Sequence, residues 1–453
     1  MYKHSAISLL CRFTVAASIL LLGAQQEASA KAFYVSPSGD GSTGQNWKKA
    51  WKDPSQIDWA QVNAGDQVVL DGGPSGITYQ TSFTVPKSGA AKAPITIRQS
   101  PAAGHNGQVL LVGGADQPPS CYVNGLANGI VINGSYINIA GARRGGLKIK
   151  GYKDACINIG SVAGTVTNNI GIHNVEIENR VSMPPYGSIV CVGIKFTGFN
   201  NHIVNCDFRN CNTGAKEIAA AGATNQTVFN NCTFGSTQHY LNFTRGCGTA
   251  ILGAKATTGD YSSKLFVHRT VFGPYVTSGI YFYKGAANIT DCLFLCPSQY
   301  AIAHQPDVGV DAKMNVRQCT FVIASQPMTP PYGMIGSPLQ SNGNGVLKVK
   351  DSVVYGGWIM TATGQSINGG GNVQYRTAGN TVALAPTMVD PQFQDEATVA
   401  AMPSNYNPYT FATLNYTMNP SGPAAGKGSR LVSVSELCTP YGPNGPILSL
   451  IHI

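Results

Sequence analysis

The chain has 453 residues, 43% hydrophobic and 11% charged, with 53 Gly and a formal net charge of +9. That is too apolar and too sparsely charged for a disordered chain. The basic balance favours anionic partners, and no Lys/Arg run or recognition-helix pattern points to nucleic acid.

In chain order, Lys3 and Arg12 precede the apolar run FTVAASILLL (13–22), and Ala28-Ser29-Ala30 follows as a small-residue cleavage site. Residues 1–30 therefore read as a secretory signal, with Lys31 as the first mature residue. The run is too short to span a bilayer. Removing the signal leaves 28 basic and 20 acidic residues, a net of +8, and eleven of the twelve Cys. Residues 31–85 read as an N-terminal cap, because a solenoid needs a lid over its first coil. Within it, WKKAWKDPSQIDWAQV (47–62) suggests a short amphipathic helix interrupted at Pro54.

Short strands follow: ITIRQ (95–99), VLLVGG (109–114), GIVING (129–134), YINIAG (136–141) and LKIKG (147–151). The solenoid is placed at 86–385 and a C-terminal cap at 386–447, where Pro, Asn and Ala accumulate. LSLIHI (448–453) resembles the translation of a transposon end used in sequencing libraries and is set aside.

The strongest signal is a repeated phrase: HIVNCDF (202–208), FNNCTF (229–234), ITDCLF (289–294) and VRQCTF (316–321). Degenerate relatives stand at 172–177, 267–272 and 349–354. One column runs Val175, Cys206, Cys232, Thr270, Cys292, Cys319, Ser352, at intervals of 31, 26, 38, 22, 27 and 33 residues. A floor with a variable excess describes fixed strands and elastic loops. Period-2 alternation adds an inward stack of Ile177, Phe208, Phe234, Phe272, Phe294, Phe321 and Val354. The residue before the Cys column is always polar: Asn174, Asn205, Asn231, Arg269, Asp291, Gln318, Asp351. Such residues suit a sharp left-handed turn between two strands. The expected fold is all-β, a three-sided solenoid capped at both ends. Cys206/Cys232 and Cys292/Cys319 are close enough in register for disulfides, but small buried thiols are the better reading.

The I-x-N-C-x-F phrase resembles the coil of right-handed parallel β-helix proteins, the pectate-lyase-like superfamily. FYVSPSGDGSTG (33–44) with GDQVVLDGG (65–73) is similar to the N-terminal segment of many secreted members. VDPQF (389–393) and PSGPAAGKG (420–428) are similar to their C-terminal segment. The resemblance implies a right-handed coil and a polysaccharide cleft on one outward wall and its flanking loops.

That wall is read from GIKFTGFNNHI (193–203), which aligns without a gap on GIYFYKGAANI (279–289). Ile194/Ile280 and Phe196/Phe282 face in; Lys195/Tyr281 and Thr197/Tyr283 face out. GAKEIAAAG (214–222), GTAILGAK (248–255) and AIAHQ (301–305) supply the same strand elsewhere. Elimination next to a uronate carboxylate needs a base and a cation to stabilise the enolate. Lys195 or Tyr281 is the candidate base, with Lys216, Arg245 or Lys255 as charge partner. Glu217, His239, Tyr240, Tyr283, Lys284 and His304 are candidate substrate-binding residues. His239, Tyr240 and Arg245 share the long loop between ladder positions 232 and 270.

Hydrolysis needs two nearby carboxylates. Glu176 and Asp207 are in register but read as a solvated pair, and the Asp-Asp, Gly-His-Gly and Asp-Pro-His-Asp strings of related hydrolases and epimerases are absent. Asp307 and Asp311 are the nearest approach to a Ca2+ site. The function expected is that of a secreted monomer acting on an acidic polysaccharide by lyase-type β-elimination, with no membrane or nucleic-acid partner. The alternative is a non-catalytic carbohydrate-binding or cell-surface structural solenoid.

Overall fold

The computed structural model describes residues 30–114, 125–160, 166–179, 191–219, 224–235, 249–254, 262–273, 276, 278–295, 300–305, 312–322, 337–341, 345–355, 359–361 and 369–375. The signal segment up to residue 29, the C-terminal cap at 386–447 and the 448–453 tail lie outside the described residues.

The described strands form three sheets, all of parallel pairs. The first sheet runs from Ala32–Val35 to Val346–Lys350, the second from Ile77–Gln80 to Val373–Tyr375, and the third from Phe83–Val85 to Ile359–Thr361. They hold 11, 11 and 10 described strands. From Gln67–Leu70 to Ile359–Thr361, strands consecutive in sequence go to successive sheets. Each strand then pairs with its counterpart one coil on. This is a right-handed three-sided parallel β-helix, with the hand that parallel crossovers adopt.

The repeat columns explain why the coil closes. Seven turn residues from Asn174 to Asp351 join the first sheet to the second, and all have φ between 47° and 60°. Asn is over-represented because it tolerates this conformation and can bond along the stack. Asn205 Nδ2 donates to Asn174 Oδ1, and Asn231 Nδ2 to Asn205 Oδ1 at 3.1 Å. Next, the small column is buried throughout. Each Cys thiol of the column donates to the carbonyl two residues earlier, as Cys232 does to Asn230 O at 3.5 Å. Thr270 and Ser352 make the same bond with a hydroxyl, at 2.9 Å. Six of the seven column positions thus hold a small donor, and Cys, Thr and Ser serve alike, while Val175 fills its place without one. The described Cys residues carry no disulfide.

Two residues on, Phe208, Phe234, Phe272, Phe294 and Phe321 stack with centroids 4.3–5.4 Å apart and rings within 9° of parallel. Strand spacing of about 4.8 Å sets that repeat. The third sheet meets the stack with small residues, Gly193, Gly214, Ala250, Gly279 and Ala301. A Cβ on Gly214 would lie 2.7 Å from the Phe234 ring, so only glycine lets the sheet approach this closely.

At the N-terminal end the expected amphipathic helix is replaced by one 3₁₀ turn, Pro54–Gln56, whose first amide is capped by Asp53. Trp51 is held instead by a bridge to Val35 and by stacking on Phe33 at 5.5 Å. Burying that ring outweighs the helical pattern.

Candidate functional site

Register on the third sheet defines one outward column: Val131, Asn158, Lys195, Lys216, Leu252, Tyr281, Ala303. Lys195 and Lys216 are directly opposed on adjacent strands. Tyr281 is two strands beyond Lys216, about 10 Å at β spacing. The column thus has a cationic part and an aromatic part separated by Leu252.

Lys195 does not stand alone. Its ammonium donates to Asp154 Oδ1, a carboxylate one residue before the neighbouring strand. This pair directs Lys195 and engages its ammonium, which suits ligand positioning better than proton abstraction. Lys216 is half-buried and has no ion-pair partner among the described residues. Tyr281 packs on Tyr283 at 6.1 Å and edge-on to Tyr300 at 5.8 Å. Burial and these two phenols push Tyr281 up to about 12. Its hydroxyl therefore keeps its proton at neutral pH and acts as a donor, not a base.

Two expected wall residues belong to the interior. Glu217 pairs in register with Phe196, and His304 with Phe282; both are buried. Each stands one residue past an outward position, and a single step reverses the face. The Glu217 carboxylate accepts from Ser263 Oγ at 2.7 Å and Ala254 N at 3.2 Å. Burial lowers His304 to about 4, so it is neutral inside the coil. Thr197 also turns inward, its hydroxyl bonding Asn225 Oδ1 at 3.2 Å. Tyr283 and Lys284 are half-buried where the strand leaves the wall. His239, Tyr240, Arg245, Lys255, Asp307 and Asp311 lie outside the described residues.

The sequence reading missed Tyr300, Asp154 and Asn158 as wall residues. Counting by twos from Ile302 sends Tyr300 inward, but its ring meets Tyr281 edge-on, and alternation is already broken at Ala301 and Ile302, which are both buried. Asp154 precedes a strand, where no periodicity applies. Asn158 is visible only through its register with Lys195.

On the second sheet, Glu176 and Asp207 are in register as expected but are not a solvated pair. Arg144 bonds both oxygens of Asp207, at 2.5 and 2.9 Å, and Thr233 also donates to it. Lys148 bridges Glu176 and Glu178 at 2.9 and 2.7 Å. These acids are structural ties across coils.

No group of three or more His, Cys, Asp or Glu side chains clusters among the described residues. The described wall offers one engaged carboxylate, Asp154, which is not the oxygen set a calcium ion takes. No described helix is long and apolar enough to cross a membrane.

Stacked left-handed turns, an inward phenylalanine ladder and an outward wall on the third of three parallel sheets decide the architecture. The chain is a three-sided parallel β-helix. No family model matches it, and no curated protein matches it. Among solved structures, this β-helix is similar to an alginate lyase from Paenibacillus sp. str. FPU-7, with 16% identity over 73% of this chain and 92% of that one, TM-score 0.40. It is similar to the pectate lyase Pel9A, with 14% identity over 93% and 96%, TM-score 0.47. A mannuronic acid specific polysaccharide family 6 lyase from human gut microbiota gives 14% identity over 78% and 83%, TM-score 0.46. At such identities and scores, this β-helix takes no chemistry from these three structures.

Proposed function

We propose that the outward wall of the third sheet binds an acidic polysaccharide laid along the solenoid axis. The observation that carries this reading is the single column with opposed Lys195 and Lys216 followed by the Tyr281, Tyr283 and Tyr300 cluster. A polymer crossing successive strands meets ammonium groups suited to its carboxylates, then flat rings suited to its sugar faces. The polymer lies outside the cell, so this reading requires export through the signal read in residues 1–30.

Lyase chemistry is the second reading, and Lys216 favours it. Half-buried and with no ion-pair partner among the described residues, it would take the proton beside the uronate carboxylate, the electron pair would expel the glycosidic oxygen, and an unsaturated uronate would remain. Lys195, directed by Asp154, would hold the carboxylate, and Tyr281 would give its proton to the leaving oxygen.

The test offers pectate, alginate, chondroitin and hyaluronan to the purified protein. It follows retardation in polymer-containing gels and ultraviolet absorbance of the unsaturated product. Retardation by one polymer supports binding, and Lys216→Ala is expected to weaken it about tenfold, ~1.4 kcal/mol, more at low salt than at high. Absorbance that rises with wild type and is lost in Lys216→Ala supports the lyase. Neither signal with any of the four polymers would overturn both readings.

A further inference from the structure

On the outer face of the first sheet, three neighbouring coils bring together polar heads that the third-sheet wall does not use. Register places Asn138, Gly171 and His202 side by side, with His173 two residues along the middle strand. Asn138, His173 and His202 are half-buried and Gly171 beneath them is buried. A Cβ on Gly171 would lie 2.4 Å from Asn138 Oδ1 and 2.6 Å from His173 Nε2. Glycine thus leaves a hollow into which an amide oxygen and an imidazole nitrogen both lean.

The third member is oriented from outside. His202 Nε2 shares a 2.8 Å hydrogen bond with Asn200 Oδ1. An amide oxygen only accepts, so Nε2 carries the proton and Nδ1 keeps its lone pair. Asn200 is fixed in turn, donating to Asn169 Oδ1 at 2.6 Å. A donor bond from the far nitrogen is how metal-binding imidazoles are commonly held.

We infer that His173, His202 and Asn138 form a site for a divalent transition-metal ion of the zinc class on the solvent side of Gly171. Two imidazole nitrogens and one carbonyl oxygen suit such an ion, with water completing the shell. Oxygen-seeking calcium does not prefer this set. The site lies on a different sheet from the polysaccharide wall and stands or falls independently of it.

Titration calorimetry of the full secreted chain with Zn2+ tests this. Binding of one ion per chain at micromolar level is expected, weakened at least tenfold by His173→Ala and by His202→Ala. Gly171→Ala keeps both imidazoles but puts a methyl into the hollow, and a matching loss is expected. Thermal denaturation of each variant without metal separates lost binding from lost folding, and His202→Gln serves as a second, milder variant. The inference is overturned if wild type takes up no Zn2+ at millimolar concentration. It is equally overturned if folded variants bind as wild type does, or if Ca2+ competes on equal terms.

Discussion

Arg269 is the misfit of the turn column. It has a φ of 47° at a position where its neighbours are mostly Asn or Asp, and it is exposed. A left-handed backbone costs an ordinary L-residue about 1–2 kcal/mol, whereas Asn recovers part of this through its own side chain. Arg269→Asn is therefore expected to stabilise the protein by ~0.5–1 kcal/mol, as a raised urea midpoint at unchanged slope. The same logic shows how the column could be read from residue types alone. Five of its seven members were Asn or Asp at the one place where the chain must turn sharply. At the same scale, the donor role of the Cys column was not legible, because a thiol, a threonine and a serine look like mere smallness until their carbonyl partners are known.

Between elements, the coils are tied by the ionic ladder on the second sheet as well as by backbone pairing. Arg144 spans from its loop to Asp207, and the two side chains are 18% and 7% exposed. Removing one member leaves a buried charge, so Arg144→Met is expected to cost about 3 kcal/mol. The double variant Arg144→Met, Asp207→Leu removes both charges and is expected to cost much less than the sum of the single changes. A double-mutant cycle by chemical denaturation measures this difference. A cost for the double variant equal to the summed single costs would show that the pair is not coupled. This tie was not legible in the sequence, since Arg144 and Asp207 are separated by 63 residues and meet only after two coils are wound.

For the whole molecule, the stacked thiols link stability to alkaline pH. Burial raises Cys206 and Cys292 well above their ordinary value and moves Cys232 from 9.0 to about 12. The folded state thus favours the protonated thiol. This stabilisation is fully present below about pH 9, where unfolded thiols are protonated too. It is lost as pH rises from there through the folded values, because only the unfolded chain ionises. Stability is expected to fall progressively above about pH 9. The described column thiols are expected to resist thiol reagents until the coils open, which a reagent titration with and without denaturant reads directly.

The sequence by itself determined the coil. Side chains repeat at every rung of a parallel stack, so the same three decisions recur: a left-handed polar turn, a small donor, an inward aromatic. Repetition made each visible despite loops of unequal length. It also named Lys195 and Tyr281 as outward, because a gapless match of two strands fixes parity. Only the tertiary structure decided what these residues meet. Glu217 and His304 went inside because parity reverses with one residue. Tyr300 joined the wall because its ring packs edge-on against Tyr281 from the next coil. Lys195 gained Asp154, and Gly171 gained its hollow between Asn138 and His173, because partners on neighbouring coils are set by register, and register spans loops whose lengths the sequence leaves free.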